Sequence, residues 1–268
     1  MNLIQQLYNS FLSFGKNRAF CIDGKDITYF KFLEYINGIY NLIEKNISGK
    51  NNGIGIIAFE TIETYAAFFA CWFSGNYFVP INPKHPLERN KAIIKETGVK
   101  IVLTSKDEVS EIIYSGNVAS LNIRGLKESG NKNPEESNGN QLLYILTTSG
   151  STGVPKHVPI NAKNVEAYCN AYFKVFPELD QKACVLQTHD HTTDASFTSY
   201  LLPLLKGACI YFLPEGQFKF LSIARMMLDK KITWVKLTPS VLAYLNPYID
   251  DLDLKHIKYF GFGGEVLP

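Results

Sequence analysis

Residues 53–59 read GIGIIAF, an apolar run without alternation. A strand with one wet face alternates apolar and polar side chains, so a run that is apolar throughout needs cover on both faces. A helix-patterned stretch, 60–73, follows it, and this exchange recurs along the chain. In the first half the pattern predicts helices over 3–14, 30–44, 60–73 and 86–97, the last with proline in its first turn. RAFCIDGKDITY reads as a hairpin turning at Asp23-Gly24, and KIVLTS as a strand. In the second half, strands at 142–147, 183–188, 208–213, 232–237 and 257–262 alternate with helices at 164–176, 196–205, 221–229 and 239–245. Strands separated by helices imply an α/β fold, with parallel-sheet layers covered by helices.

One composition break interrupts this order. KESGNKNPEESNGNQ, residues 127–141, has no apolar side chain and is expected to be a mobile loop or linker. It divides the chain into two similar α/β subdomains, an N-terminal one over 1–126 and a second over 142–268. The sequence stops at GGEVLP, and Val266-Leu267-Pro268 reads as the entry to a further helix. The expectation is therefore of a cut or shortened chain.

Before the second subdomain's first helix lies TTSGSTGVPKHVPI, residues 147–160. Gly150 and Gly153 permit backbone angles that turn successive N–H groups inward, and such concave amide arrays bind anions. Thr148, Ser149, Ser151 and Thr152 add hydroxyls, Pro155 stiffens the exit, and Lys156 offers a cation. The set suits an oxyanion or polyphosphate. It is not the P-loop of NTPases, which needs Gly-Lys followed by Ser or Thr; here Gly153 is followed by Val154-Pro155-Lys156. A formal net charge of +2 gives no reason to expect nucleic acid, and no apolar run approaches the ~18 residues of a membrane helix. The start, MNLIQQLYNSF, lacks the pattern of a signal peptide. Five scattered cysteines, Cys21, Cys71, Cys169, Cys184 and Cys209, read as free thiols in a reducing cytosol. The expected location is cytoplasmic.

YILTTSGSTGVPKHV resembles the phosphate loop of the adenylate-forming superfamily, which comprises acyl-CoA synthetases, luciferases and the adenylation domains of nonribosomal peptide synthetases. His157 stands where that pattern has glycine. Other elements follow in order. DITYFKFLEY resembles the early L-T-Y-x-E-L element. CWFSGNYFVPINPKHP resembles K-A-G-x-x-Y-V-P-I-D-P, with Asn82 where aspartate is common. THDHTTDAS resembles the segment holding F-D-x-S, with Thr193 for phenylalanine, and FGFGGEVLP resembles G-G-E-x-L-P. The resemblance implies the N-terminal part of an amino-acid adenylation domain. It implies ATP with Mg2+ as co-substrates and the phosphopantetheine of a partner carrier protein as acceptor, with neither nucleic acid nor membrane as partner. The motifs that follow G-G-E in the family, including the catalytic lysine, are absent from these 268 residues. No certain catalytic residue is identified, and the chain alone is expected to be inactive.

Site residues carry over one by one. Thr148, Ser149, Gly150, Ser151, Thr152, Gly153 and Lys156 would hold the ATP phosphates. Gly263, Gly264 and Glu265 would border the adenine. Asp194 would bind the α-amino group of an amino acid, a charge-assisted pairing, although an aspartate before a helix also suits an N-cap. The amino-acid pocket would be Asp194, Ala195, Thr198, Lys236, Gly261 and Gly263. Lys236 interrupts an apolar strand, and a buried lysine needs a partner; a substrate carboxylate or carboxamide would supply one. The pattern resembles that associated with aspartate and asparagine, with extra room at Ala195 and Gly261. His189 and His191 flank Asp190 with no third ligand, which argues against a metal, and at least one is expected to line the acyl pocket. Two alternatives stay open: an acyl-CoA synthetase-like carboxylic acid ligase, and a non-catalytic nucleotide-binding remnant.

Overall fold

The computed structural model describes residues 2–22, 24–107, 118–130, 132–148, 156–213, 219–247 and 253–266. Among these residues are twelve strands and eight helices. The strands are β1 (Arg18–Ile22), β2 (Lys25–Thr28), β3 (Gly53–Ile57), β4 (Tyr77–Ile81), β5 (Val99–Thr104), β6 (Ala119–Asn122), β7 (Leu142–Thr148), β8 (Lys156–Asn161), β9 (Cys184–Gln187), β10 (Cys209–Phe212), β11 (Trp234–Leu237) and β12 (Tyr259–Phe262). The helices are α1 (Leu3–Ser13), α2 (Tyr29–Asn46), α3 (Ile62–Phe73), α4 (Leu87–Glu96), α5 (Ala162–Val175), α6 (Ala195–Leu205), α7 (Lys219–Asp229) and α8 (Pro239–Leu245). The chain forms two compact units: Met1–Asn9 with Phe30–Tyr172, and Ser10–Tyr29 with Phe173–Pro268.

The first unit holds a six-stranded sheet in the order β6-β5-β3-β4-β7-β8, parallel except for the edge strand β8. Every residue of β3 is buried, as its unbroken apolar run requires. Helix α3 is buried at every position except Glu63, so it is apolar nearly all round rather than along one stripe. Thr61 caps it by accepting from the Thr64 N–H at 3.4 Å. Phe68 stacks on Phe78 at 4.4 Å, Phe78 on Tyr144 at 5.6 Å, and the Trp72 indole donates to the Leu143 carbonyl at 2.8 Å.

The second unit's six-stranded sheet runs β12-β11-β9-β10-β1-β2, again parallel except at the edge strand β2. Its core joins Leu186, Tyr211, Ile223, Met227 and Val235. Gly24 sits at φ 72 in the β1–β2 hairpin, the left-handed backbone that the expected Asp-Gly turn requires; Asp23 lies outside the described residues.

The division differs from the one expected at 126 and 142. The β7–β8 hairpin completes the first sheet, and the β1–β2 hairpin completes the second, so Leu142–Tyr172 belongs with the first unit and Ser10–Tyr29 with the second. The stretch expected as a mobile linker is tied down. The Glu128 N–H donates to the Glu34 carbonyl at 2.9 Å, the Glu135 N–H to the Phe73 carbonyl at 2.8 Å, and the Asn37 amide to the Gly130 carbonyl at 2.6 Å. Lys127 lies over the Tyr35 ring at 4.6 Å and Lys132 over Tyr40 at 3.9 Å. A stretch without apolar residues can still be held when its backbone and charged side chains pair with helices.

Candidate functional site

In the first unit, Thr148 ends β7 and Lys156 opens β8, and the two are cross-strand partners. Thr148 Oγ1 donates to the Lys156 carbonyl at 3.4 Å. Both residues are exposed. The expected anion contacts of Ser149, Gly150, Ser151, Thr152 and Gly153 lie outside the described residues. Next to Lys156 in β8, His157 bridges two elements: Nδ1 meets Thr147 Oγ1 at 2.9 Å, and Nε2 meets Glu96 Oε2, at the end of α4, at 2.9 Å. The residue that departs from the family's glycine thus buttresses the stem of the loop.

In the second unit, topology marks a crevice. Strands β9 and β11 are neighbours, but the helix after β9 leads to β10 on one side and the helix after β11 leads to β12 on the other. Open parallel sheets bind ligands outside the carboxyl ends of strands at such a divergence. Lys236 lies near the carboxyl end of β11, and the segment after β9 carries Thr188 to Asp194. Thr188 Oγ1 donates to the Lys236 carbonyl at 2.8 Å, which ties the segment after β9 to β11.

The turn that leads to Asp194 is built by Asp190. Its Oδ1 accepts from the Thr192 N–H at 2.8 Å and from Thr192 Oγ1 at 2.6 Å, and its carbonyl accepts from Thr193 Oγ1 at 2.7 Å. An Asx turn of this kind follows from a short carboxylate reaching its own backbone two residues on. His191 is buried, and the described residues contain no cluster of three or more His, Cys, Asp or Glu side chains suited to a metal ion. Asp194 stands at the N-terminus of α6 with φ −65 and ψ −27, and its side chain makes no capping hydrogen bond. Its carboxylate is exposed, Ala195 is half-buried, and Thr198, one turn further along the same helix face, is buried.

Lys236 is half-buried between fully buried Val235 and Leu237. It faces Gly261 across the β11–β12 pair. A Cβ built at Gly263 would lie 3.4 Å from Lys236 Cε and 4.0 Å from Nζ, so the lysine side chain runs over that glycine. Among the described residues neither Lys236 nor Asp194 is in an ion pair. Both act on His189. Burial, then the Lys236 and Lys219 ammonium groups, push its pKa down to about 4, while the Asp194 carboxylate and the Lys236 backbone pull the other way. Asp194 and Lys236 are thus both within electrostatic reach of His189.

Gly261 does not leave the extra room expected of it. A Cβ there would meet the Tyr259 hydroxyl at 2.5 Å and its ring at 2.7 Å. That ring is wedged between Trp234, stacked at 4.5 Å, and Phe176, edge-on at 4.8 Å. Gly264 adopts φ +87, a conformation for which glycine is suited. Glu265 has a structural role that its sequence neighbourhood did not signal: Oε2 accepts from the Ser240 N–H at 2.9 Å and Oε1 from Ser240 Oγ at 3.0 Å, at the start of α8.

Known proteins share both the sequence and the fold. The family described as AMP-binding enzyme matches residues 10–268. A plipastatin synthase of Bacillus subtilis (strain 168) is 28% identical over 257 residues, covering 94% of this chain and 7% of that protein. Tyrocidine synthase 3 of Brevibacillus parabrevis is 29% identical over 253 residues, covering 94% of this chain and 4% of that protein. The AMPPNP-bound form of the nonribosomal peptide synthetase FmoA3 shares the fold with a TM-score of 0.88 at 19% identity, covering 100% of this chain and 29% of that one. The chain thus spans a small part of the length of these three proteins.

Proposed function

The chain belongs to the family of AMP-binding enzymes, and on that premise we propose that it carries the nucleotide- and amino-acid-binding part of an amino-acid adenylation enzyme. In this reading the amino-acid carboxylate attacks the α-phosphorus of ATP, a new O–P bond forms, and the bond to the departing pyrophosphate breaks. The aminoacyl adenylate is then passed to the phosphopantetheine thiol of a carrier protein, in the cytoplasm and without nucleic acid or membrane as partner. No helix among the described residues is long and apolar enough to cross a membrane. Catalysis of this kind rests on positioning and charge neutralisation. Thr148, Ser149, Gly150, Ser151, Thr152, Gly153 and Lys156 hold the β- and γ-phosphates, with Mg2+ arriving on the nucleotide. Gly263, Gly264 and Glu265 border the adenine. Asp194 takes the ammonium group, and Ala195, Thr198, Gly261 and Gly263 line the pocket. Lys236 meets the side chain of aspartate, asparagine or a β-substituted relative.

The observation that carries the reading is the Asp194 carboxylate, which makes no capping hydrogen bond and, among the described residues, no ion pair. It precedes a helix without capping it, so the structural task that would explain an aspartate there is left undone. Its exposure at a topological switch point, with an ammonium group at Lys236 beside the same crevice, suits a zwitterion that carries a second polar end.

Amino-acid-dependent ATP–pyrophosphate exchange, measured on the protein that contains this chain, tests it. Lys236→Met keeps length and removes charge. It should cost about 2–5 kcal/mol of transition-state binding if the substrate side chain is a carboxylate left unpaired, and about 1–3 kcal/mol if it is a carboxamide. Asp194→Asn should weaken every amino acid alike. Unchanged preference in Lys236→Met removes Lys236 from the pocket, and unchanged exchange in Asp194→Asn favours a carboxylic acid ligase that does not need an ammonium partner.

A further inference from the structure

His189 stands immediately after Thr188, whose hydroxyl is bonded to the Lys236 carbonyl near the carboxyl end of β11. Its Nε2 is buried and has no hydrogen-bond partner, among the described residues, while the ring's backbone hydrogen bond is to Lys236. Buried polar atoms are nearly always satisfied, and an exception asks for a group that the protein does not itself provide. The charges that act on the ring are the Lys236 and Lys219 ammonium groups and the Asp194 carboxylate, so a group meeting Nε2 is within reach of both signs of charge.

We propose that His189 is a specificity-determining residue, whose Nε2 accepts a hydrogen bond from the N–H of a substrate carboxamide while the Lys236 ammonium donates to that carboxamide's oxygen. The inference rests on the amino-acid-adenylating reading and narrows its substrate. The tautomer decides the chemistry. An imidazole that donates from Nδ1 to the Lys236 backbone keeps its lone pair on Nε2. Burial and the flanking Lys236 and Lys219 cations hold the ring neutral, with a pKa of about 4, so at neutral pH it stays an acceptor. A carboxamide presents one acceptor and one donor, which match Lys236 and His189 in turn. A carboxylate presents two acceptors, and one of them would face the Nε2 lone pair. An aliphatic side chain satisfies neither group.

The test is equilibrium binding, by titration calorimetry, of three sulfamoyl-adenosine mimics of an aminoacyl adenylate, carrying asparaginyl, aspartyl or alanyl side chains. The wild-type protein should bind the asparaginyl mimic most tightly. His189→Leu should weaken that mimic roughly 5- to 150-fold, the range for leaving one buried hydrogen bond unmade, and leave the alanyl mimic unchanged. His189→Gln, whose Oε1 accepts, should restore most of the loss and so separates recognition from misfolding. Equal weakening of all three mimics by His189→Leu, or none, overturns the assignment, as does a wild-type preference for the aspartyl mimic. If the wild type binds only the alanyl mimic, this inference fails while amino-acid adenylation stands; if it binds none, the adenylation reading fails and takes this one with it.

Discussion

Gly261 shows how a residue's meaning depends on what its neighbour does with the space. Its missing side chain is occupied by Tyr259, two positions earlier on the same face of β12, whose ring is held by Trp234 and Phe176. A methyl group would have to displace a ring packed on two sides. Gly261→Ala should therefore destabilise the protein by about 1–3 kcal/mol through overpacking, read as a lower urea midpoint at unchanged slope. A midpoint within error of the wild type would mean that the Tyr259 ring moves freely aside. Asp194 drew notice in the sequence through the resemblance to F-D-x-S, and Lys236 also because a lysine interrupts an apolar strand. The room at Gly261 was not legible, because an i, i+2 contact depends on rotamers and on rings from other elements. His189 was legible as a pocket candidate, but that its Nε2 has no partner among the described residues was not, because this depends on the atoms around it.

At the scale of elements, periodicity identified the buried pieces well and the edge pieces poorly. Strands β3, β9, β10 and β11 are largely buried and their apolar runs announce them. Strands β6 and β8 are edge strands without a buried residue, β8 carries Pro159 and β4 carries Pro80, so none of the three has a strand's usual signature. Helix α8 presents a further case. With only 7 residues it is too short to be stable by itself. Its early Ser240 N–H and hydroxyl are both taken by the Glu265 carboxylate, from a residue 25 positions away. Such a cap cannot be read from spacing. Glu265→Ala should cost about 0.5–2 kcal/mol, as for loss of a helix cap, and should speed hydrogen exchange at the Ser240 amide. Unchanged exchange there would show that α8 is held by its buried face alone and that Glu265 is free for the nucleotide.

Across the whole molecule, the two sheets share one strand order. Each has two successive central strands, two later strands added on the far side of the first, and a hairpin at the opposite edge; the hairpin comes after the core strands in the first unit and before them in the second. This is why the composition break at 127–141 did not mark the boundary between units. The shared order gives the molecule two topological switch points, at β9/β11 and at β3/β5, and side chains distinguish them. At β3/β5, Thr61 Oγ1 donates to Ser105 Oγ at 2.8 Å and also accepts from the Thr64 N–H, Thr104 Oγ1 donates to the Lys106 carbonyl at 2.8 Å, and Lys106 covers the Phe59 ring at 4.8 Å. That crevice is closed by its own hydrogen bonds. At β9/β11, the residue equivalent to Thr61 in the topology is Asp194, which caps nothing, and His189 Nε2 is unpaired among the described residues. A ligand gains most where it satisfies groups the protein leaves unmade and does not have to break bonds already formed. Adding Mg-ATP and an amino-acid substrate should therefore slow hydrogen exchange over residues 188–194 and 236–238 and leave residues 59–61 and 104–107 unchanged, measured by mass spectrometry on peptides covering both edges. Protection appearing at the β3/β5 edge instead would mean that the hydrogen bonds there do not close the crevice, and that charge and unpaired polar atoms are the wrong criterion for choosing between two sites of one topology.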